Sequence, residues 1–308
     1  MIKFISFIIS IYISLYILNK CIPLIFLKTK TNNIKKYIKS CFITNETENY
    51  ICTYKSNILK YIFLFPGLVS DSIYLHRNCK YLYDVFGQTH NIIVLKYNTN
   101  YHCISDLSTH LAKIIVTLLN QSSNQSSFVC QPRTCVSAAT TVGIGGASAI
   151  DMEKVKKEFT KYSIHVIGCS YGCSVAIDTF LKLQSKFGFP TLCSFTSYKS
   201  FNTFDRAIKY QKNIFCKILC KLYVNTKKFK FDNSKIIFLK SKKRYIVNHI
   251  NDEIIHKRAQ FATKFCRLNR IHLIYDTHIP YQFDSYYDYF FKCHTYFNIE
   301  LIANIIKD

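Results

Sequence analysis

The sequence predicts an α/β protein with a mostly parallel sheet, helices on both faces and an N-terminal transmembrane helix. Three observations predict this architecture. Short apolar, β-branched runs alternate with segments of helical periodicity along most of the chain, which is typical of a parallel sheet. A Gly-x-Ser-x-Gly motif at 168–172 joins one of these runs to a helical segment. The first 27 residues contain a long uncharged stretch, as a membrane-spanning segment requires.

The chain length fits one large α/β domain behind a membrane anchor. It has 308 residues, of which 49% are hydrophobic, and this is enough for a sizeable core. We assign 1–27 to the anchor, 28–54 to a basic linker with the first edge strands, and 55–308 to the α/β domain. Within that domain, 120–150 is predicted to be a flexible insert because it is polar and lacks periodicity, and 201–224 is predicted to be a cap-like helical segment.

The anchor is predicted from the distribution of charge near the N-terminus. Residues 4–18 contain no charged side chain, and the apolar character resumes at 21–27. A spanning helix needs about 20 residues, which 2–27 can supply. No small-x-small cleavage site follows, so an uncleaved anchor is favoured over a signal peptide. Lysines are more numerous downstream, which favours a cytosolic domain, but lysine is frequent throughout the chain and the side of the membrane stays open.

Seven apolar runs are predicted as strands. Each is short, and most are rich in β-branched and aromatic residues, the composition of strands buried on both faces. The predicted strands are 61–65, 91–97, the run that leads from Ile164 into the motif, 191–198, 235–239, 245–250 and 271–275.

The segments between these runs are predicted as helices because their apolar residues recur with helical spacing. The segment 151–162 begins with Asp-Met-Glu, and acidic residues are favourable at the positive end of a helix dipole. The predicted helices are 72–86, 107–119, 151–162, 173–183, 201–224, a segment that ends at Cys266, and 286–306.

The chain is strongly basic, with 41 Lys and Arg against 18 Asp and Glu and a formal net charge of +23. Such a balance suggests nucleic acid or an anionic membrane as a partner. The lysines are spread along the whole chain, and there is no zinc-finger or RNA-recognition signature. We therefore interpret the excess as a solvated basic surface and do not predict a nucleic-acid partner.

The 14 cysteines contain no Cys-x-x-Cys pair, so a structural zinc site is not predicted. Many lie in apolar runs, where cysteine serves as a small core residue. Cys130 and Cys135 could form a disulfide in an oxidising compartment. The glycosylation sequons at Asn45, Asn120 and Asn124 would be usable only in that same compartment.

The motif itself is Gly168-Cys169-Ser170-Tyr171-Gly172, and it follows an apolar strand and precedes a helix with small residues. In such a motif the serine lies on a strained strand-to-helix turn that exposes its Oγ above the sheet. The two glycines leave room where strand and helix crowd together. The alternative is an ordinary strand-to-helix turn.

The order of these pieces resembles the α/β-hydrolase family, with a likeness from about residue 55 to 300. The matching pieces are the strand followed by Phe65-Pro66-Gly67, the Gly-Cys-Ser-Tyr-Gly motif, Asn251-Asp252-Glu253-Ile254-Ile255, and the last strand followed by Thr277-His278. The chain is most similar to membrane-associated serine hydrolases of the lysophospholipase, monoacylglycerol lipase and acyl-protein thioesterase kind. The resemblance implies that the catalytic residues follow in the order serine, acid, histidine.

The resemblance assigns the nucleophile to Ser170, the acid to Asp252 and the base to His278. A serine hydroxyl needs a base to accept its proton, and the base needs a carboxylate to orient it. Asp252 and His278 both follow apolar strands, at the sheet edge where open α/β sheets place their sites. Glu253 and Asp276 stay open as alternative acids.

The other histidines are interpreted differently. His165 and His272 lie within predicted strands, where packing or a surface position is expected. His249 and His256 bracket the acid loop, and His294 falls in the predicted last helix.

The resemblance also implies an oxyanion hole made of backbone N–H groups. Tyr171, directly after the serine, would provide one donor, and Leu68, in the loop after the first core strand, the other. Many family members have His-Gly in that loop where this chain has Pro66-Gly67.

Phe204, Ile208 and Phe215 are the candidates for lining an acyl-chain pocket in the cap-like segment, although such an apolar stripe also fits simple helix packing. The resemblance thus implies a membrane-anchored serine hydrolase that cleaves esters or thioesters of lipids or lipidated substrates, without a metal or organic cofactor. A catalytically inactive, membrane-tethered binding protein is the alternative.

Overall fold

The structure is a computed structural model, and the strands that it contains form one sheet. It describes residues 43–45, 50–53, 58–67, 73–95, 103–123, 161–211, 217, 231–279 and 292–308. Eight strands in this part of the chain are ordered β1-β2-β4-β3-β5-β6-β7-β8. They are β1 Ile43–Asn45, β2 Tyr50–Thr53, β3 Lys60–Phe65, β4 Asn91–Leu95, β5 Ser163–Cys169, β6 Leu192–Tyr198, β7 Ser241–His249 and β8 His272–Asp276.

The sheet is mostly parallel, as the sequence predicts. From β4 through β3, β5, β6 and β7 to β8, every neighbouring pair is parallel. Among the described strands, β2 has the opposite direction to the rest, since it pairs antiparallel with both β1 and β4. The carboxyl ends of β5, β6, β7 and β8 therefore meet at one edge, where the loops that follow them can form a site.

Helices cover both faces of the sheet, because successive strand residues point to opposite sides. On one face, Phe63 and Phe65 pack with residues of α2 and α3. On the other face, Ile62 and Leu64 pack with α1 and α7. The helices described are α1 Ile73–Phe86, α2 Ile104–Ser123, α3 Gly172–Lys186, α4 Phe204–Lys209, α5 Thr263–Leu268, α6 Lys292–Thr295 and α7 Ile299–Lys307.

An aromatic cluster attaches α3 to the centre of the sheet. The Phe180 ring makes edge-to-face contacts with Phe63 and Phe65, with ring centroids 5.9 and 6.0 Å apart. All three side chains are fully buried, and burial of each contributes about 1.5–3 kcal/mol. The middle of α3, which begins at the end of the Gly-x-Ser-x-Gly motif, is thereby packed against the sheet.

Two predicted elements differ in the structure. The run 235–239, predicted as a strand, lies in a 3-10 helix at Asn233–Phe238. Its start is capped by the Asp232 side chain, which accepts a hydrogen bond from Ser234 N at 2.9 Å, and Ile236 is buried in the core. A short apolar run fits a buried turn as well as a strand, so periodicity alone does not separate the two. The strand that follows begins at Ser241, four residues before the predicted start.

The predicted last helix, 286–306, is interrupted. The structure has a short helix at Lys292–Thr295 and a longer one at Ile299–Lys307. Asn298 separates them and caps the second helix, because its side chain accepts a hydrogen bond from Leu301 N at 3.1 Å.

Several sequence predictions lie outside the described residues. These are the anchor at 1–27, most of the linker at 28–54, residues 151–160 of the predicted helix 151–162, and residues 212–216 and 218–224 of the cap-like segment 201–224. Of the insert predicted at 120–150, residues 124–150 lie outside the described residues, whereas α2 continues through 120–123, where the sequence predicts no helix. Among the helices that the structure does describe, none has the length and apolar character needed to cross a membrane.

Candidate active site

Ser170 lies in the turn between β5 and α3, at the carboxyl edge of the sheet. Its φ is +51°, a left-handed conformation that is uncommon for a residue with a side chain. Three hydrogen bonds hold this turn: Ser170 N donates to Tyr198 O at 2.9 Å, and Cys173 N and Ser200 Oγ donate to Ser170 O at 3.2 and 2.8 Å. Hydrogen bonds to β6 and to α3 thus hold the strained turn in place.

Both glycines of the motif are required by close backbone packing. A Cβ on Gly168 would lie 2.5 Å from Cys173 Cα. A Cβ on Gly172 would overlap the carbonyl oxygens of Phe65 and Pro66. The loop after β3 therefore passes directly against the first turn of α3.

His294 connects the serine to a carboxylate. Its Nε2 lies 3.1 Å from Ser170 Oγ, and its Nδ1 lies 2.9 and 3.0 Å from Oδ2 and Oδ1 of Asp252. An ionised carboxylate only accepts hydrogen bonds, so Nδ1 carries the proton and Nε2 is left to accept the serine proton. The His294 side chain is 11% exposed, whereas the Asp252 side chain is fully buried.

Asp252 is held by its own loop after β7. Its Oδ1 accepts hydrogen bonds from Ile254 N at 2.8 Å and from Ile255 N at 2.6 Å. Because these backbone donors fix the carboxylate, it presents a defined acceptor to the imidazole. Of the alternatives considered for the acid, Asp252 is the one described carboxylate that contacts the ring of the histidine next to Ser170.

The structure corrects the predicted base, because His294 and not His278 lies next to Ser170. His278 is exposed, and its ring stacks on Tyr296 with a centroid distance of 4.7 Å. Its backbone is engaged on both sides: His278 N donates to Asp276 Oδ1 at 3.1 Å, and its carbonyl lies 2.9 Å from His249 Nε2. His278 therefore shapes the loop after β8 without its ring contacting the serine.

Sequence reasoning missed His294 because it lay in a predicted helix. The order serine, acid, histidine is satisfied by His294 as well as by His278, so the order of residues alone does not choose between them. A useful signal would have been the helix N-cap at Asn298, since it places His294 on the segment before the last helix and not within it.

Asp276, the other open alternative, pairs with a lysine. It is 3% exposed, and its Oδ2 lies 3.4 Å from Lys199 Nζ and 3.1 Å from the Tyr198 hydroxyl. Burial alone would raise the pKa of Asp276, but the Lys199 ammonium and the hydrogen bond from His278 N hold it below its ordinary value. Asp276 is therefore an ionised partner of Lys199.

Of the two predicted oxyanion donors, Tyr171 is among the described residues and Leu68 is not. Tyr171 lies at the start of α3, directly after Ser170. Leu68 lies outside the described residues, but Pro66 and Gly67 before it are buried. Since this loop abuts Gly172, the chain leading to Leu68 runs beside the motif.

The three pocket candidates have different surroundings. Phe204 is buried, and its ring contacts Tyr171 and Phe201 with centroid distances of 6.4 and 5.6 Å. Ile208 is partly buried against the same core, and Phe215 lies outside the described residues. Phe204 thus packs in the core against Tyr171, and its assignment as a pocket-lining residue stays a prediction. Among the described residues, no group of His, Cys, Asp or Glu is arranged to hold a metal ion.

No protein-family model matches the chain, and no curated protein matches it significantly. Several solved structures are similar to it. An esterase of Pyrococcus furiosus has a TM-score of 0.45 and 14% identity, with 73% of this chain and 74% of the esterase covered. Esterase B from Lactobacillus rhamnosis, with a tributyrin phosphonate, has a TM-score of 0.44 and 12% identity over 74% and 68% of the two chains. A lipase-esterase related protein from Clostridium acetobutylicum has a TM-score of 0.43 and 12% identity over 84% and 97%. At these identities and TM-scores, the function of this chain has to be inferred from the geometry of its own site.

Proposed function

We propose that the protein is a serine hydrolase that cleaves carboxylic ester or thioester bonds through an acyl-enzyme. The observation that carries this proposal is the continuous chain of contacts from Ser170 Oγ through the His294 ring to Asp252. A serine on a strained turn, an imidazole within hydrogen-bond distance and a buried carboxylate behind it are the parts that nucleophilic catalysis by serine requires.

In the first half of the reaction, Ser170 Oγ attacks the carbonyl carbon of the substrate. His294 Nε2 accepts the hydroxyl proton as the O–C bond forms, and Asp252 stabilises the imidazolium that results. The negative charge that develops on the carbonyl oxygen needs backbone donors, and we assign these to the N–H groups of Tyr171 and Leu68. His294 then returns the proton to the alcohol or thiol, which leaves as the tetrahedral intermediate collapses.

In the second half, a water molecule replaces the leaving group. His294 Nε2 accepts a proton from the water as its oxygen attacks the acyl carbonyl carbon. The second tetrahedral intermediate collapses, the proton passes from His294 to Ser170 Oγ, and the carboxylic acid is released. Neither step requires a redox partner.

We extend the proposal to substrate class and location on the basis of the sequence. An apolar stretch at 2–27 fits a membrane anchor, and a hydrolase anchored in this way would meet lipid or lipidated acyl esters. Extraction with alkaline carbonate, compared between the full chain and a chain lacking residues 1–27, tests this part. Release of the full chain into the soluble fraction would overturn it.

The central test is labelling by a fluorophosphonate probe, which reacts with activated serines. We expect the full chain to be labelled and the Ser170→Ala variant to lose labelling. Ser185→Ala is the matched control, because Ser185 is exposed and lies on the same helix. Absence of labelling in a folded wild-type protein would overturn the proposal and favour a membrane-tethered binding protein with a hydrolase-like site.

A further inference from the structure

The segment that carries His294 cannot hold its position by itself. It consists of the four-residue helix α6, Lys292–Thr295, and the three residues that precede α7. We call residues 292–298 the His294 segment. A helix of four residues is far too short to be stable on its own, so contacts with the rest of the protein must determine where the imidazole lies.

Glu253 holds the beginning of the His294 segment. Its Oε1 accepts a hydrogen bond from Cys293 N and its Oε2 accepts one from His294 N, both at 3.1 Å. These backbone N–H groups belong to the first turn of α6, where a helix leaves its donors without intrahelical partners. A carboxylate that receives both donors forms charge-assisted hydrogen bonds. Two adjacent acidic residues therefore bind different parts of His294. Asp252 accepts a hydrogen bond from its ring, and Glu253 accepts one from its backbone N–H.

Lys199 holds the end of the same segment. Its Nζ donates to Tyr296 O at 2.6 Å, and the Tyr198 hydroxyl lies 3.3 Å from the same carbonyl. Asn298 N in turn donates to the Tyr198 hydroxyl at 2.8 Å. The charges match the ends of the segment, because a carboxylate meets its N–H groups and an ammonium meets its carbonyl.

Asp276 completes this arrangement by holding Lys199. The two side chains are each 1% exposed, with Lys199 Nζ 3.4 Å from Asp276 Oδ2. Asp276 Oδ1 also accepts a hydrogen bond from Asn298 Nδ2 at 3.2 Å. Lys199 has a φ of +48°, so its backbone adopts an uncommon conformation that turns the chain after β6. A buried ion pair is weak evidence for stability alone, and here both members contact the His294 segment.

We infer that Glu253 and the Lys199–Asp276 pair are positioning residues that hold the His294 ring between Ser170 and Asp252. This inference rests on the proposed function. A displacement of about 1 Å in a catalytic group can cost on the order of 100-fold in rate. A change at either end of the segment is therefore expected to slow the acyl transfer without altering the surface that binds the substrate.

The first test is Glu253→Gln in the full chain, with Glu300→Gln as the matched control because Glu300 is exposed at the start of α7. Glutamine keeps the side-chain length but offers an acceptor to only one of the two N–H groups. With p-nitrophenyl butyrate as substrate, we expect kcat to fall by about 10- to 100-fold, KM to stay the same and the control to match wild type. A purely structural role would lower the melting temperature and leave kcat per active site unchanged.

The outcomes separate this inference from the proposed function. An active wild type with an equally active Glu253→Gln variant would overturn the role of Glu253 and leave the hydrolase assignment intact. An inactive, unlabelled wild type would overturn both.

The second test compares Lys199→Met with the double variant Lys199→Met/Asp276→Asn. The single variant leaves a buried carboxylate without its cation, which is strongly destabilising, and the double variant removes both charges. We expect the double variant to regain much of the melting temperature but not the kcat, because Tyr296 O still lacks the ammonium donor. Recovery of kcat together with stability would show that the pair is merely structural and would overturn its positioning role.

Discussion

His294 Nε2 lies 3.1 Å from Ser170 Oγ although 124 residues separate the two in the chain. Ser170 is held in a turn at the end of a central strand, whereas His294 lies on a short helix near the C-terminus. The first position follows from a local motif. The second depends on contacts that reach the His294 segment from the loops after β6 and β7 and from the last residue of β8.

The identity of the base can be tested with a matched pair of histidines. We expect His294→Gln to reduce kcat/KM by about 10³-fold, because no group remains to accept the Ser170 proton. His278→Gln should stay close to wild type, since the exposed His278 ring stacks on Tyr296 and is not the ring that contacts Ser170 or Asp252. Steady-state hydrolysis of p-nitrophenyl butyrate measures both. A large loss in the His278 variant with an active His294 variant would reverse the assignment.

The acid can be tested with Asp252→Asn. The amide oxygen would stay at Oδ1, where Ile254 N and Ile255 N donate, so the NH₂ group would replace Oδ2 opposite His294 Nδ1. The imidazole would then lose its oriented tautomer. We expect a loss of about 10³- to 10⁴-fold in kcat and slower fluorophosphonate labelling. Asp84→Asn is the control, because Asp84 lies in an exposed ion pair with Lys80 on α1. Labelling at the wild-type rate would remove Asp252 from the mechanism.

The packing of the motif predicts that Gly172→Ala is not tolerated. The added Cβ would overlap the backbone carbonyl oxygens of Phe65 and Pro66, and backbone atoms cannot rotate away as a flexible side chain can. Overpacking of this kind costs typically about 1–3 kcal/mol and occasionally more, so we expect a large loss in the free energy of unfolding, measured in urea. The Ser185→Ala variant serves as the control on the same helix. Wild-type stability in Gly172→Ala would show that β3 and α3 are farther apart than described.

Two buried histidines predict that the fold loses stability in mild acid. His90 and His165 have ring centroids 6.0 Å apart, and burial, followed by nearby positive charge, lowers the pKa of each to about 4. In the unfolded chain each titrates near 6.5, so between these pH values the unfolded state binds more protons. Stability is therefore fully present above about pH 6.5 and falls as the pH drops towards 4.

The measurement is the urea unfolding free energy at pH 7 and at pH 5. We expect the two histidines to account for a loss of about 1–2 kcal/mol each, and the double variant His90→Gln/His165→Gln to lose correspondingly less. His272→Gln is the control, because His272 is exposed on β8. Equal pH dependence in wild type and double variant would contradict a neutral, buried pair.

Much of the fold could be predicted because it depends on interactions close in sequence. The core strands near 61–65, 91–95 and 192–198 are apolar runs whose burial follows from their composition. The prediction of a strand at 235–239 was wrong because Ile236 is buried by a 3-10 helix instead of a strand. Periodicity over five residues contains too little information to separate the two.

The sequence by itself determined the parallel sheet, through the alternation of apolar runs with helical segments, and the turn at Ser170, through its motif. It indicated Asp252 as one of three candidate acids. Only the tertiary structure decided which histidine meets the serine. Two histidines follow the last strand in the required order, and the N-cap at Asn298 places His294 before the last helix without marking it as the base. The choice is made by long-range contacts, in which Glu253 and Lys199 hold the ends of the His294 segment. Such contacts join residues far apart in sequence, so no local pattern or spacing reveals them before the chain is folded.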